Sequence, residues 1–276
     1  MENKGYKVFD AAAKEVEAFY NGVENPFGEL LENEYVIIED ADNKVIDCYR
    51  YRDEVLDRVF YPSIKNSFIG QIKPLDSQQY CAIDLLSQRD TPVKIITGVY
   101  GSGKDHLMWN AARELVEDRG EFKKIIFVRP NVTLKNVPDI GFLPGDVDEK
   151  LGWVLAPIYD KVGGQEGIQQ MLERDMLEIV PLLFIRGRSF ENSIIYVTEA
   201  QNIDSSIAKV LLSRIGEGSE IWLNGDYHDQ TDRAVFDKDN GLKLMVERLS
   251  GNPLFGQIYL PNTHRSEVAN LSNLLD

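Results

Sequence analysis

Cysteine is scarce in this chain. Cys48 and Cys81 are the only two among 276 residues, and they form no CxxC pattern. That excludes a disulfide framework or a cysteine zinc site and favours buried free thiols in a reducing compartment. The three histidines, His106, His228 and His264, are too far apart to repeat a metal-ligand spacing. No apolar run approaches bilayer length, and the first ten residues lack the apolar core of a signal peptide, so the expectation is a cytoplasmic protein with no membrane partner. Repeats and low-complexity tracts are missing too. Positive charge is in deficit: 30 Lys+Arg against 45 Asp+Glu give a net charge of −15. Bulk charge therefore does not hold the protein on nucleic acid, and any such contact must be local.

What is present is an ordinary globular composition, 43% hydrophobic and 27% charged, long enough for one large or two smaller domains. The first seventy residues are acidic. Within them Val8–Tyr20 has helical apolar spacing, and Glu34–Arg52 reads as two β-rich runs around a turn at Asp42-Asn43, a hairpin that must pack on something else. From Pro74 a helix over Ser77–Gln88 leads into the short apolar strand Val93–Gly98. A helix over His106–Asp118 and strands at Lys123–Val128, Leu177–Ile185, Ser193–Thr198 and Glu220–Asp226 follow. Strands alternating with helices predict a parallel α/β sheet with ligands at its carboxyl edge. Trp109, Trp153 and Trp222 fall in these patterns as core residues.

The first strand runs into Gly98-Val99-Tyr100-Gly101-Ser102-Gly103-Lys104-Asp105, which fits G-x-x-x-x-G-K and departs only where Ser or Thr is expected. Glycines leave backbone N–H groups free to wrap phosphate oxygens, Lys104 reaches the β/γ-phosphates, and the helix offers its positive end. The departure has a counterpart. After the strand at Ser193 the expected Asp-Glu pair is Thr198-Glu199, so hydroxyl and carboxylate have traded loops. The exchange keeps the count of acidic ligands near Mg²⁺: Asp105 is the expected direct ligand, with Thr198 supporting it. Glu199 orients or deprotonates the attacking water, and Gln201 and Asp226 sense the γ-phosphate. The alternative is a decayed site that binds ATP and turns it over little. A nucleotide kinase is weaker, because no arginine-rich lid or acceptor pocket is evident.

Several stretches together resemble the PhoH-like ATPase family, in particular the ATPase half of proteins in which it follows a PIN nuclease domain. They are Gln79–Leu86, the phosphate loop, Gly141–Asp146, Arg186-Gly-Arg188, Thr198–Asn202, Leu212–Gly216, Gly225-Asp226 and Asn240–Leu242. The resemblance implies a single RecA-like P-loop NTPase domain over residues 68–276; the small α+β segment over 1–67 has a hairpin that resembles the connector of the PIN fusions, and since no nuclease domain is expected before it, nuclease activity is not carried over. The resemblance also implies ATP and Mg²⁺ as cofactors, helicase-like remodelling of single-stranded RNA or DNA, and Gln79 as the adenine-reading glutamine. Asp229 or Gln230 takes the glutamine role of a stretched GDxxQ element. One such domain lacks the arginine that a second RecA domain supplies, so a homo-oligomer, for example a ring, is expected, with Arg214 the first candidate and Arg186, Arg188 and Arg265 behind it. Lys123, Lys124, Arg129, Asn131, Lys135, Arg186 and Arg188 are the local features a strand could use.

Overall fold

The computed structural model describes residues 3–60, 62–67, 69–130, 164–227, 236 and 238–264. Asn131, Lys135, the 141–146 stretch, Trp153, His228, Asp229, Gln230 and Arg265 lie outside the described residues. The fold is α/β. Its centre is a six-stranded, wholly parallel sheet in the order β12-β7-β11-β10-β8-β9. The strands are β7 (Val93–Gly98), β8 (Lys124–Val128), β9 (Leu177–Ile179), β10 (Ser193–Val197), β11 (Glu220–Gly225) and β12 (Phe255–Leu260). With β7 between β12 and β11, this is the RecA-like order, and the loop after β7 lies at the carboxyl edge.

Near-continuous burial of these strands follows from cover on both faces. On one face Ile96, Ile125, Phe127, Tyr196, Trp222 and Ile258 join a core with α2 (Ser77–Ser87) and α3 (Lys104–Arg113). On the other, Ile95, Ile126, Val197 and Leu223 pack with α5 (Ser205–Leu212) and α6 (Gly241–Leu249). Helix α4 (Gly164–Glu173) precedes β9. Helix starts are marked by side chains: Asp76, Asp204 and Asn240 accept from Gln79 N, Ile207 N and Lys243 N.

The N-terminal segment is a four-stranded sheet, β1 (Tyr6–Asp10), β2 (Tyr35–Glu39), β3 (Val45–Arg52) and β4 (Val55–Arg58), with α1 (Lys14–Tyr20) on one face. The hairpin at Asp42-Asn43 is β2–β3. The helix expected over Val8–Tyr20 is shorter: residues 6–10 form β1, paired in parallel with β2, and Asp10 Oδ1 turns the chain by accepting from Ala12 N at 2.7 Å. Cross-strand pairing outweighed a helical spacing that Phe9 satisfies either way, since it packs on Phe27. The strand expected over Leu177–Ile185 stops at Ile179. Pro181 has no N–H to donate to a ladder, and a 3₁₀ turn, Leu182–Phe184, follows. Helix α3 begins at Lys104 and passes into a π-helical turn, Glu114–Asp118. Strands β4 and β12 and the small hairpin β5 (Ile64–Asn66) and β6 (Gly70–Ile72) were not legible in the pattern.

The two sheets share one core. Tyr35, Ile37 and Cys48 pack with Cys81, Ala82 and Leu85 of α2, and Tyr35 OH donates to Asp84 Oδ2 at 2.7 Å. Cys48 and Cys81 are buried free thiols 3.6 Å apart. Asn33, held at φ +65°, donates to the carbonyls of Pro253 and Phe255 at 3.0 and 2.8 Å and accepts from buried Arg50, which also reaches Asp90 and Thr91.

Candidate nucleotide site

Residues Gly98–Lys104 close β7 onto α3. Gly98 (φ +147°), Gly101 (φ +73°) and Gly103 (φ +88°) all occupy the positive-φ region that glycine tolerates. At Gly98 a side chain is excluded outright, because a Cβ would lie 2.2 Å from Leu260 O. Lys104 Nζ folds back across the loop and donates to the carbonyls of Gly98 and Val99 at 2.6 and 2.8 Å. The Ser102 hydroxyl is fully buried and finds no hydrogen-bond partner among the described residues. Loop N–H groups, a helix N-terminus, the Lys104 ammonium and an orphaned hydroxyl form a donor set that phosphate oxygens fit.

Gln79, 3% exposed, braces the loop from below: its amide donates to Ser102 O at 2.9 Å and accepts from Leu75 N at 3.0 Å. Beside it opens a cleft of about 510 Å³ lined by Lys73, Leu75, Gln79, His106, Leu107 and His264, among others. His264 fastens this cleft: its backbone N–H donates to Gly101 O at 3.0 Å and its ring bonds Asp76 Oδ2 at 2.8 Å. Sequence reasoning missed Leu75 and His264 as site residues. No local signal marks a contact spanning 188 residues.

Asp105 and Thr198, the pair expected to have exchanged places, are in contact. Asp105 Oδ1, on the first turn of α3, accepts from Thr198 Oγ1 at 3.0 Å, Tyr196 OH at 2.9 Å and Asn224 Nδ2 at 2.9 Å. Period-two alternation puts Tyr196 and Thr198 on the α3 side of the sheet, and the β10–β11 register carries Asn224 to the same level. Burial first, then the Asp105 charge, pushes the Tyr196 phenol well above its ordinary range, so it remains a donor. Tyr196 and Asn224 also escaped the sequence reading, since nothing in an apolar strand distinguishes them. Glu199 adopts a left-handed conformation, φ +55° and ψ +38°. That is a strained state for a non-glycine residue, of the kind that accumulates at functional sites. Its carboxylate accepts from Gln201 Nε2 at 2.7 Å, and Gln201 Oε1 in turn accepts from the N–H of buried Asp226 at 3.3 Å. Lys104, Asp105, Thr198, Glu199, Gln201 and Asp226 are thus drawn to one edge. Among the described residues no group of three His, Cys, Asp or Glu could hold a metal alone. Mg²⁺ does not need one, since it is commonly held by one or two carboxylates and the substrate's phosphates. The hard oxygens of Asp105 and Thr198 fit that role.

Arg214 is not brought to this edge. It precedes Ile215, which bridges Phe190 ahead of β10, and its guanidinium donates to Arg188 O. That is the amino edge, about 20 Å, one strand length, from the carboxyl edge. Arg188 pairs with Glu178 at 2.7 Å and Lys124 with Asp175 at 2.6 Å. No helix among the described residues is long and apolar enough to cross a membrane.

Comparison with known proteins agrees with this geometry. A family model for PhoH-like proteins matches residues 71–270. Protein PhoH2 of Bacillus subtilis (strain 168) is 37% identical over 212 residues, covering 74% of this chain and 47% of that protein. Protein PhoH of Escherichia coli (strain K12) is 36% identical over 167 residues, covering 58% and 45%. The chain therefore spans about half the length of these relatives. The crystal structure of Pif1 helicase from Candida albicans aligns with TM-score 0.37 and 15% identity over 74% of this chain and 44% of that one, too distant to bear on the site. With a phosphate loop on a RecA-like sheet and a family match over most of its length, the chain is a P-loop ATPase-like protein and belongs to the PhoH-like family.

Proposed function

We propose that this chain binds ATP with Mg²⁺ and hydrolyses it, and that turnover drives remodelling of single-stranded RNA or DNA. The observation that carries the reading is the meeting of Asp105 and Thr198 at 3.0 Å beside Lys104 and the phosphate loop. Lys104 exchanges the carbonyls of Gly98 and Val99 for phosphate oxygens; Asp105 with Thr198 would hold the metal, which would supply neutralising charge to the phosphates. Glu199, aimed by Gln201, accepts a proton from the attacking water. The water oxygen bonds to the γ-phosphorus as its bond to the β–γ bridging oxygen breaks, and ADP leaves with that electron pair. Asp226 and Gln201 report the γ-phosphate to α6 through Asn240, which donates to Gln201 O at 2.9 Å. Arg214, a strand length from its own loop, acts on a neighbouring copy in a homo-oligomer.

The reading in which the chain holds ATP without useful turnover draws on the same network, because three donors already occupy Asp105 Oδ1. Phosphate release with Mg-ATP, with and without single-stranded RNA or DNA, separates the two. We expect release that a strand stimulates and that Lys104→Ala abolishes. Nucleotide binding with release no greater than that of Lys104→Ala would overturn hydrolysis in favour of the binding module.

A further inference from the structure

We infer that Tyr196 and Asn224 are positioning residues for the Asp105 carboxylate, so that the exchange between the two loops involves four side chains rather than two. The inference rests on the reading that Asp105 faces the metal of a bound Mg-nucleotide. Both residues are buried, 1% and 2% exposed, and both donate to the same oxygen, Asp105 Oδ1, at 2.9 Å. The Tyr196 ring is clamped in an aromatic trio, edge-on to Trp109 at 5.6 Å and stacked on Phe127 at 5.9 Å, so its hydroxyl holds a fixed place. Asn224 commits both amide hydrogens and its carbonyl oxygen to this cluster. Its Nδ2 donates to Asp105 and to Tyr196 OH, each at 2.9 Å, and its Oδ1 accepts from Glu199 N at 3.4 Å, with Thr198 Oγ1, whose single proton goes to Asp105, 3.2 Å away. The opposite amide orientation would turn Oδ1 onto the carboxylate, so the network itself selects this one. One buried amide thereby ties the carboxylate of the first loop to the Tyr196 hydroxyl and to the backbone of strained Glu199.

A carboxylate that is to meet a metal ion beside a phosphate loop needs a fixed orientation, and these two donors supply it. Neither is needed to hold the phosphates themselves. Their loss should weaken metal binding and spare metal-free nucleotide binding.

The test is a fluorescence titration of the full chain with mant-ADP, first in EDTA and then against Mg²⁺. Tyr196→Phe keeps the ring and loses only the hydroxyl. It should raise the Mg²⁺ midpoint ~10-fold, the scale on which outer partners of metal ligands act, with EDTA affinity within about twofold of the parent. Asn224→Leu should do the same or more, and a urea midpoint for each variant reports folding. Asp105→Asn is the reference arm. In that background Tyr196→Phe should add nothing, because the oriented group is gone. If Asp105→Asn leaves the Mg²⁺ midpoint unmoved, the reading of Asp105 fails and takes the inference with it. If Asp105→Asn moves the midpoint but Tyr196→Phe does not, or moves it equally in both backgrounds, the positioning role is refuted while the metal reading stands.

Discussion

If hydroxyl and carboxylate have traded loops, trading them back should work better than either half of the trade. Asp105→Thr removes the carboxylate that Thr198, Tyr196 and Asn224 surround and leaves buried donors without their acceptor, at about 1–3 kcal/mol. Thr198→Asp does the reverse, placing a second carboxylate against the first across a gap now spanned by a 3.0 Å contact. At ~4 Å two like charges repel by up to about 4 kcal/mol at the effective permittivity of such a site. Each single change should therefore lower kcat/KM about 5- to 700-fold, reading ~1.4 kcal/mol per tenfold. The double variant restores one carboxylate and one hydroxyl across the same gap, with Tyr196 and Asn224 still between the loops. It should recover ~1–3 kcal/mol relative to the sum of the singles. Steady-state phosphate release, with urea midpoints to exclude unfolding, measures all four corners of the cycle. Losses that add to within about 0.5 kcal/mol would refute the exchange and leave Asp105 and Thr198 as independent departures.

Two further outcomes are expected. Lys94 is fully buried against Glu220 in the centre of the sheet, and burial lowers its pKa from 10.5 to about 7. Between those values the unfolded chain holds the proton that the folded chain lacks, so stability rises with pH across that window and the gain is lost as pH falls to 7. Lys94→Met should flatten that rise in urea titrations at pH 7 and 9.5 without orphaning Glu220, which keeps Arg89 at 2.9 Å and Trp222 Nε1 at 2.7 Å; an unchanged slope would place the titration elsewhere. If Arg214 serves a neighbour, then Lys104→Ala and Arg214→Ala chains, each inactive alone, should regain phosphate release on mixing, and no recovery at any ratio would remove Arg214 from that role.

The legible part of this protein is the part written in local pattern. Val93–Gly98 could be read to the residue, because a strand buried on both faces and ended by a glycine loop has few alternatives. The Asp105–Thr198 pair was legible for a different reason: G-x-x-x-x-G-K singles out the position after its lysine, so an aspartate there and a threonine after the strand at Ser193 stand out. Tyr196 and Asn224 belong to the same cluster and left no trace, since a buried Tyr or Asn in a strand reads as core until the partner helix is in place. The misreading of Val8–Tyr20 has the same root. Its apolar residues satisfy both periods, and only pairing with β2, more than twenty residues on, decides between them.

The N-terminal sheet is tied to the phosphate loop by a short path of contacts. Lys4 O accepts from Tyr259 N of edge strand β12 at 3.0 Å, and Asn33 fixes the turn that enters β12, so the sheet covers an edge that would otherwise be open. Its inner face packs on α2, whose first turn carries Asp76 and Gln79. Those two side chains hold His264 and the carbonyl of Ser102, and His264 in turn holds the carbonyl of Gly101. The sheet is therefore linked to the phosphate loop through one helix and the side chains of Asp76 and Gln79. The acidic N-terminal sheet, whose hairpin was expected to pack on something else, is the floor on which the loop's brace stands.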